Sequence, residues 1–141
     1  MAIGLAAASL AGCDAGSATE VGPHGELTVR LDEFKIDPQT IVAASGDLRV
    51  TVINQGVVAH NWRVFNEPRK TAEAQQEDVV EESEDDSDRG TLVGGATTMV
   101  PRDEQVAELN LKPGRYRIFC TVGNHARLGM AGELVVKRRR S

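Results

Sequence analysis

RYRIFCTVGNHARLGMAGELVVK, from Arg115 to Lys137, decides the fold. Its first residues alternate, with Tyr116 and Ile118 apolar between Arg115 and Arg117, and its last are the apolar run ELVVK, so both ends read as strands. Between them Cys120, His125 and Met130 follow one another with four residues in each gap. The stretch is therefore strand, loop, strand, with a thiol, an imidazole and a thioether gathered at one end of a strand pair.

Working outward, the same grammar continues. Lys112-Pro113-Gly114 is a turn, and QVAELNL (Gln105 to Leu111) before it alternates. LTVRL (Leu27 to Leu31), TIVAA (Thr40 to Ala44), LRVTVIN (Leu48 to Asn54) and NWRVF (Asn61 to Phe65) are further strands, separated by turns such as Asp37-Pro38 and Ser45-Gly46-Asp47. TLVGGATTMV (Thr91 to Val100) is a weaker one, because Gly94-Gly95 interrupts it. Seven or eight short strands without a convincing helix predict an all-β sandwich over 26–137. Trp62 and Phe34 are expected in its core. In 141 residues there is room for one such domain.

The net charge of -5 is unevenly placed. Glu73 to Asp88 holds nine acidic residues and no Lys or Arg, which leaves 12 acids against 16 bases elsewhere. A segment with so few apolar groups cannot offset its ordering entropy, so 67–89 is expected to be a disordered acidic insertion. The remaining bases are scattered apart from the tail Lys137-Arg138-Arg139-Arg140, with 138–141 expected as a solvated basic end. Nothing in this distribution suits nucleic acid.

MAIGLAAASLAGC (residues 1–13) is too short to span a bilayer, which takes about 20 apolar residues, and fits the apolar core of a secretory signal. Leu10-Ala11-Gly12-Cys13 resembles a bacterial lipobox, in which the signal is cut before a cysteine that then carries lipid; no Lys or Arg precedes it. On that reading Cys13 is the lipidation site, 14–25 is a flexible tether of about 20 Å, and the domain sits on the outer side of a membrane. Cys120 is then the free thiol of the folded part.

Cys, His and Met together form a soft donor set: thiolate and thioether favour copper, and imidazole suits copper and zinc. With 3 His and 3 Met in the chain, both offsets from Cys120 would be filled by chance with odds of about 1 in 2,000. A fourth ligand must come from elsewhere, and strand direction nominates His60. If His60 starts a descending strand, the strand from Thr91 climbs, Gln105 to Leu109 descends, and Arg115 to Cys120 climbs back to the end where His60 lies. Zinc would not normally recruit Met130, and a thiol hydrolase would need an oxyanion hole that the sequence does not offer.

These residues resemble the cupredoxins, the blue-copper electron-transfer family, in particular members with a C-x4-H-x4-M loop such as auracyanin, sulfocyanin and rusticyanin. The likeness runs from Leu27 to Lys137 apart from the acidic insertion. It rests on His60-Asn61, on YRIFC-TVGNH-ARLGM and on the closing GELVV. The resemblance implies a Greek-key cupredoxin sandwich that binds one type 1 copper ion. His60, Cys120 and His125 would be its trigonal ligands and Met130 its weak axial one. It further implies that Asn61 ties the two ligand loops together through Thr121, with its backbone N–H aimed at the Cys120 sulfur. A binuclear centre would need cysteine where Asn124 stands, and multicopper enzymes place histidine beside the cysteine, where this chain has Phe119 and Thr121.

The expected function is therefore single-electron transfer, Cu(II)/Cu(I), between redox partner proteins in the bacterial cell envelope, by a monomer that is not an enzyme. The electron would pass through His125, within a docking patch of Val122, Gly123, Ala126, Leu128 and Gly129. The alternative is an extracytoplasmic copper-binding or copper-delivery protein without an electron-transfer role.

Overall fold

The computed structural model describes residues 17–67 and 90–140. Ten strands form in them: β1 (Thr19–Glu20), β2 (Glu26–Asp32), β3 (Lys35–Asp37), β4 (Thr40–Ala44), β5 (Gly46–Asn54), β6 (His60–Asn66), β7 (Leu92–Met99), β8 (Glu104–Leu111), β9 (Gly114–Phe119) and β10 (Ala131–Lys137). Period-two patterning decides which face each strand buries. Val29 and Leu31 of β2, Leu48, Val50 and Val52 of β5, and Ala107, Leu109 and Leu111 of β8 point inward, with charged and polar residues between them. Ile41 and Ala43, Tyr116 and Ile118, and Leu134 and Val136 do the same from the other side.

Two sheets result, one ordered β1-β4-β10-β9-β6-β7 and one ordered β3-β2-β5-β8, so the chain is an all-β sandwich. Their facing apolar residues make one core, with Trp62 and Val64 fully buried in it. Among the described residues the Trp62 indole N–H has no hydrogen-bond partner. That costs about 1–3 kcal/mol, which burial of so large a ring offsets.

The pairing fixes which loops meet. β6 runs antiparallel to both β7 and β9, and β8 antiparallel to β5. His60 therefore lies beside Met99, while Asn66 pairs with Tyr116 at the far end. The turn after β7 reaches the same end as His60: Arg102 N donates to the Asn54 carbonyl, and Asn54 N to that of Asp103. Cys120 leaves β9 at this end, as the alternation of directions predicts.

Gly95 explains why the weak strand exists despite its glycines. It faces Arg63 across the ladder with φ 128°, and a Cβ there would run into the Trp62 carbonyl oxygen. The glycine is a site of close backbone approach.

Several expectations need adjustment. Thr19–Glu20, inside the stretch read as a tether, pairs in parallel with β4, and Val21 N donates to the Val42 carbonyl at 2.8 Å. Arg139, in the tail read as solvated, donates through its backbone N to Ser45 Oγ and through Nε to the Ser45 carbonyl. Phe34 is not in the core. It occupies the tight turn between β2 and β3 with φ 55°, which turns its ring out to 38% exposure. The lipobox with Cys13, the tether residues before Ser17, and all but Glu67, Gly90 and Thr91 of the segment joining β6 to β7 lie outside the described residues.

Candidate metal centre

Three segments converge at the site end. His60 opens β6, Cys120 follows β9, and Met130 precedes β10, with His125 in the turn between the last two. Because β9 and β10 pair with Phe119 opposite Ala131, the loop must leave and return at one place. Its neck is closed by Cys120 N donating to the Met130 carbonyl at 3.0 Å. Its interior is braced by Met130 N donating to the His125 carbonyl at 3.1 Å. Gly129, at φ 126°, passes so close to Phe34 that a Cβ would lie 2.8 Å from the Phe34 carbonyl oxygen. The ligand loop is thus seated on the turn after β2.

His60, Cys120 and His125 each present a donor atom, and the three atoms lie within 4.8 Å of one another. His60 Nδ1 is 3.2 Å from His125 Nδ1, and Cys120 Sγ is 3.6 Å from the same His125 nitrogen. Metal–nitrogen and metal–sulfur bonds of about 2.0–2.3 Å around a trigonal centre put donors about 3.5–3.8 Å apart, so these donors are close to that arrangement. His60, Cys120 and Met130 are fully buried, whereas His125 is half-buried. The Phe34 ring meets His125 edge-on, with centroids 5.2 Å apart.

The surrounding hydrogen bonds orient the donors. Asn61 N donates to Cys120 Sγ at 3.5 Å, a contact that stabilises negative charge on sulfur. The Asn61 side chain reaches across the gap in both directions. Its Nδ2 donates to Thr121 Oγ1 at 2.8 Å, and its Oδ1 accepts from Thr121 N at 2.8 Å. Nδ2 also donates to Thr98 Oγ1 at 3.3 Å. One amide therefore fastens β6 to the residue after the cysteine and to β7.

Two contributors were not singled out from sequence. Asn54 is fully buried, donates from Nδ2 to the carbonyls of Val58 and Met99, and accepts from Gly56 N, so it shapes the loop that leads into His60. A signal for it existed: in LRVTVIN it continues the inward parity of Leu48, Val50 and Val52, and a polar side chain at such a position must find partners. The other is Glu33, whose Oε1 lies 3.1 Å from His60 Nε2. No local pattern marks it. Partial burial alone would raise its carboxyl, but the hydrogen bonds from His60, Val58 and Val57, with one involving Asp32, outweigh this and hold it at about 2 instead of 4.5.

Of the expected patch, Gly123, Leu128 and Gly129 are exposed, and Val122 and Ala126 half-buried, with Val122 packed on the core.

Two imidazoles, a thiolate and a thioether, held at the end of a β-sandwich, fit one type 1 copper ion, for which His2Cys with a weak methionine is the characteristic donor set. The profile of the copper-binding plastocyanin/azurin family matches residues 23–137, and the protein belongs to that family, the cupredoxins, small electron carriers. Among solved structures it resembles dithionite-reduced auracyanin from the photosynthetic bacterium Roseiflexus castenholzii, at 17% identity and TM-score 0.62, over 80% of this chain and 97% of that one. It also resembles auracyanin A, a "blue" copper protein from Chloroflexus aurantiacus, at 17% identity and TM-score 0.58, over 80% and 100% of the two chains. Reduced rusticyanin is similar at 20% identity and TM-score 0.58, over 85% of this chain and 84% of that one. At these identities the likeness is one of fold. No curated protein matches the chain in sequence.

Proposed function

We propose that this protein carries single electrons between a donor and an acceptor protein in the bacterial cell envelope, held at the membrane by lipid on Cys13. Copper bound at the site supplies the one-electron couple Cu(II)/Cu(I). The chain's own part is to keep the donors still. His60 and Cys120 are buried, Asn61 and Thr121 lock their segments together, and the loop neck is closed by backbone bonds, so little has to move when charge changes.

The observation that carries this reading is the asymmetry of exposure. Only His125 among the donors reaches partway to the surface, and around that end Phe34, Val57, Val58, Val100 and Leu128 are exposed apolar side chains. An apolar rim beside a half-buried ligand suits brief docking of a redox partner, with the electron leaving through His125. Val122, Gly123, Ala126, Leu128 and Gly129 form the loop's share of that surface. A delivery protein would instead need an open route for the metal to leave.

Adding Cu(II) to the full chain is expected to produce an intense visible charge-transfer band, absent in Cys120→Ser. A colourless wild-type protein would sink the copper reading. Copper that passes readily to a competing chelator in either oxidation state would favour delivery over electron transfer. For the anchor, Cys13→Ala expressed in a bacterial host should move the protein from the membrane fraction to the soluble one; unchanged partitioning would remove the lipid from the proposal.

A further inference from the structure

Glu33 sits in the turn between β2 and β3, where a carboxylate would ordinarily project into water. Its side chain is only 28% exposed, and it turns back toward the site. A single oxygen, Oε1, accepts from Val57 N at 2.7 Å and from Val58 N at 3.1 Å, and lies 3.1 Å from His60 Nε2. His60 is fully buried, so this carboxylate is the group that meets the far side of its ring.

Gly56 is an independent sign that the space is reserved. Its φ is outside the left-handed region, so backbone conformation does not require glycine there. A Cβ at this position would fall on Glu33 Oε1 and 2.9 Å from His60 Nε2. Glycine is needed because the carboxylate and the imidazole meet where a side chain would be.

From this geometry we infer that Glu33 is a positioning residue for the metal centre, holding His60 as the Nε2–H tautomer so that Nδ1 faces the metal, and biasing that metal toward its higher charge. The inference rests on the copper reading above. A carboxylate oxygen can only accept, so Nε2 must carry the hydrogen and Nδ1 keeps its lone pair toward Cys120 and His125. A carboxylate behind a ligating imidazole also makes that imidazole a stronger donor. A fixed negative charge one ring away from the metal favours Cu(II) over Cu(I). The same oxygen clamps the Gly56–Val58 loop over His60, so the tuning and the roof of the site are built from one atom.

Glu33→Gln separates charge from shape, since the amide oxygen can still accept from Val57, Val58 and His60. Copper-loaded Glu33→Gln should keep the charge-transfer band and shift the Cu(II)/Cu(I) equilibrium toward Cu(I) by about tenfold, which is 59 mV for one electron. An unchanged potential in Glu33→Gln, with only a loss of stability in Glu33→Ala, would make Glu33 a loop clamp and overturn the inference. The metal-free protein gives a second readout. Nitrogen-15 NMR of the His60 ring should find the hydrogen on Nε2, slow to exchange, and Gly56→Ala should abolish that protection by displacing the carboxylate. A wild-type ring protonated on Nδ1 overturns the inference whatever the copper measurements give. A wild-type chain that takes up no copper but keeps the Nε2–H signal defeats the functional reading and its tuning component, while the Glu33–His60 pairing stands.

Discussion

His60 and His125 face each other across 3.2 Å and belong to two different regions of the molecule. His60 begins a strand and is fully buried, with Glu33 behind it, Asn61 and β6 after it, and Asn54 shaping the loop before it. His125 rides on a turn of short-range backbone bonds, is half-buried, and has the exposed Phe34 ring against its edge. On the proposed reading, the first region sets the properties of the metal ion and the second connects it with a redox partner. A single site can do both only because its donors come from segments with different burial.

The sharpest way to break this contrast is to remove each ring in turn. His125→Gly should lose the charge-transfer band and regain it on addition of free imidazole, because the vacated position opens toward solvent. His60→Gly should lose it without rescue, since the surrounding side chains close the space. Equal rescue of both variants, read by visible absorption, would erase the distinction between the two regions.

A smaller effect is expected at the amide that joins them. Asn61→Ala leaves the Thr121 N–H without its acceptor and cuts three side-chain hydrogen bonds. The cost should be about 1–3 kcal/mol in denaturant unfolding of the metal-free protein, and the charge-transfer band should broaden or shift as the loops drift apart. Stability within about 0.5 kcal/mol of wild type would mean that β6 and the cysteine loop are held by packing alone.

The smallest effect concerns the rim. Val57→Ser and Leu128→Ser change side chains that are 80% and 50% exposed, so stability should stay within about 0.5 kcal/mol. Electron exchange with a redox partner should slow several-fold while the spectrum stays the same. Unchanged exchange rates, measured by stopped-flow, would place docking elsewhere on the surface.

Much of this is legible in the sequence. TIVAA is β4 residue for residue, and the other alternating runs became strands with ends moved by one or two positions, because burying one face of a sheet leaves a period-two trace. The spacing of Cys120, His125 and Met130 carries the donor loop, and counting strand directions was enough to bring His60 to it. The misses have physical reasons as well. β1 and β3, of two and three residues, are too short to show a period and exist by pairing with β4 and β2. Phe34 is an aromatic that composition alone would bury, but a turn residue with positive φ has its direction set by the backbone.

The sequence by itself therefore determined the sandwich, the three donors in one loop and the end at which they lie, since these follow from local periodicity and from spacing along the chain. Only the tertiary structure decided what stands behind each donor. Glu33 is 27 residues from His60 in a turn of no special pattern, and it reaches the imidazole because β2 lies beside β5 in one register and because Gly56 leaves the space open. Such a contact depends on where two loops end in space, which no periodicity along the chain records.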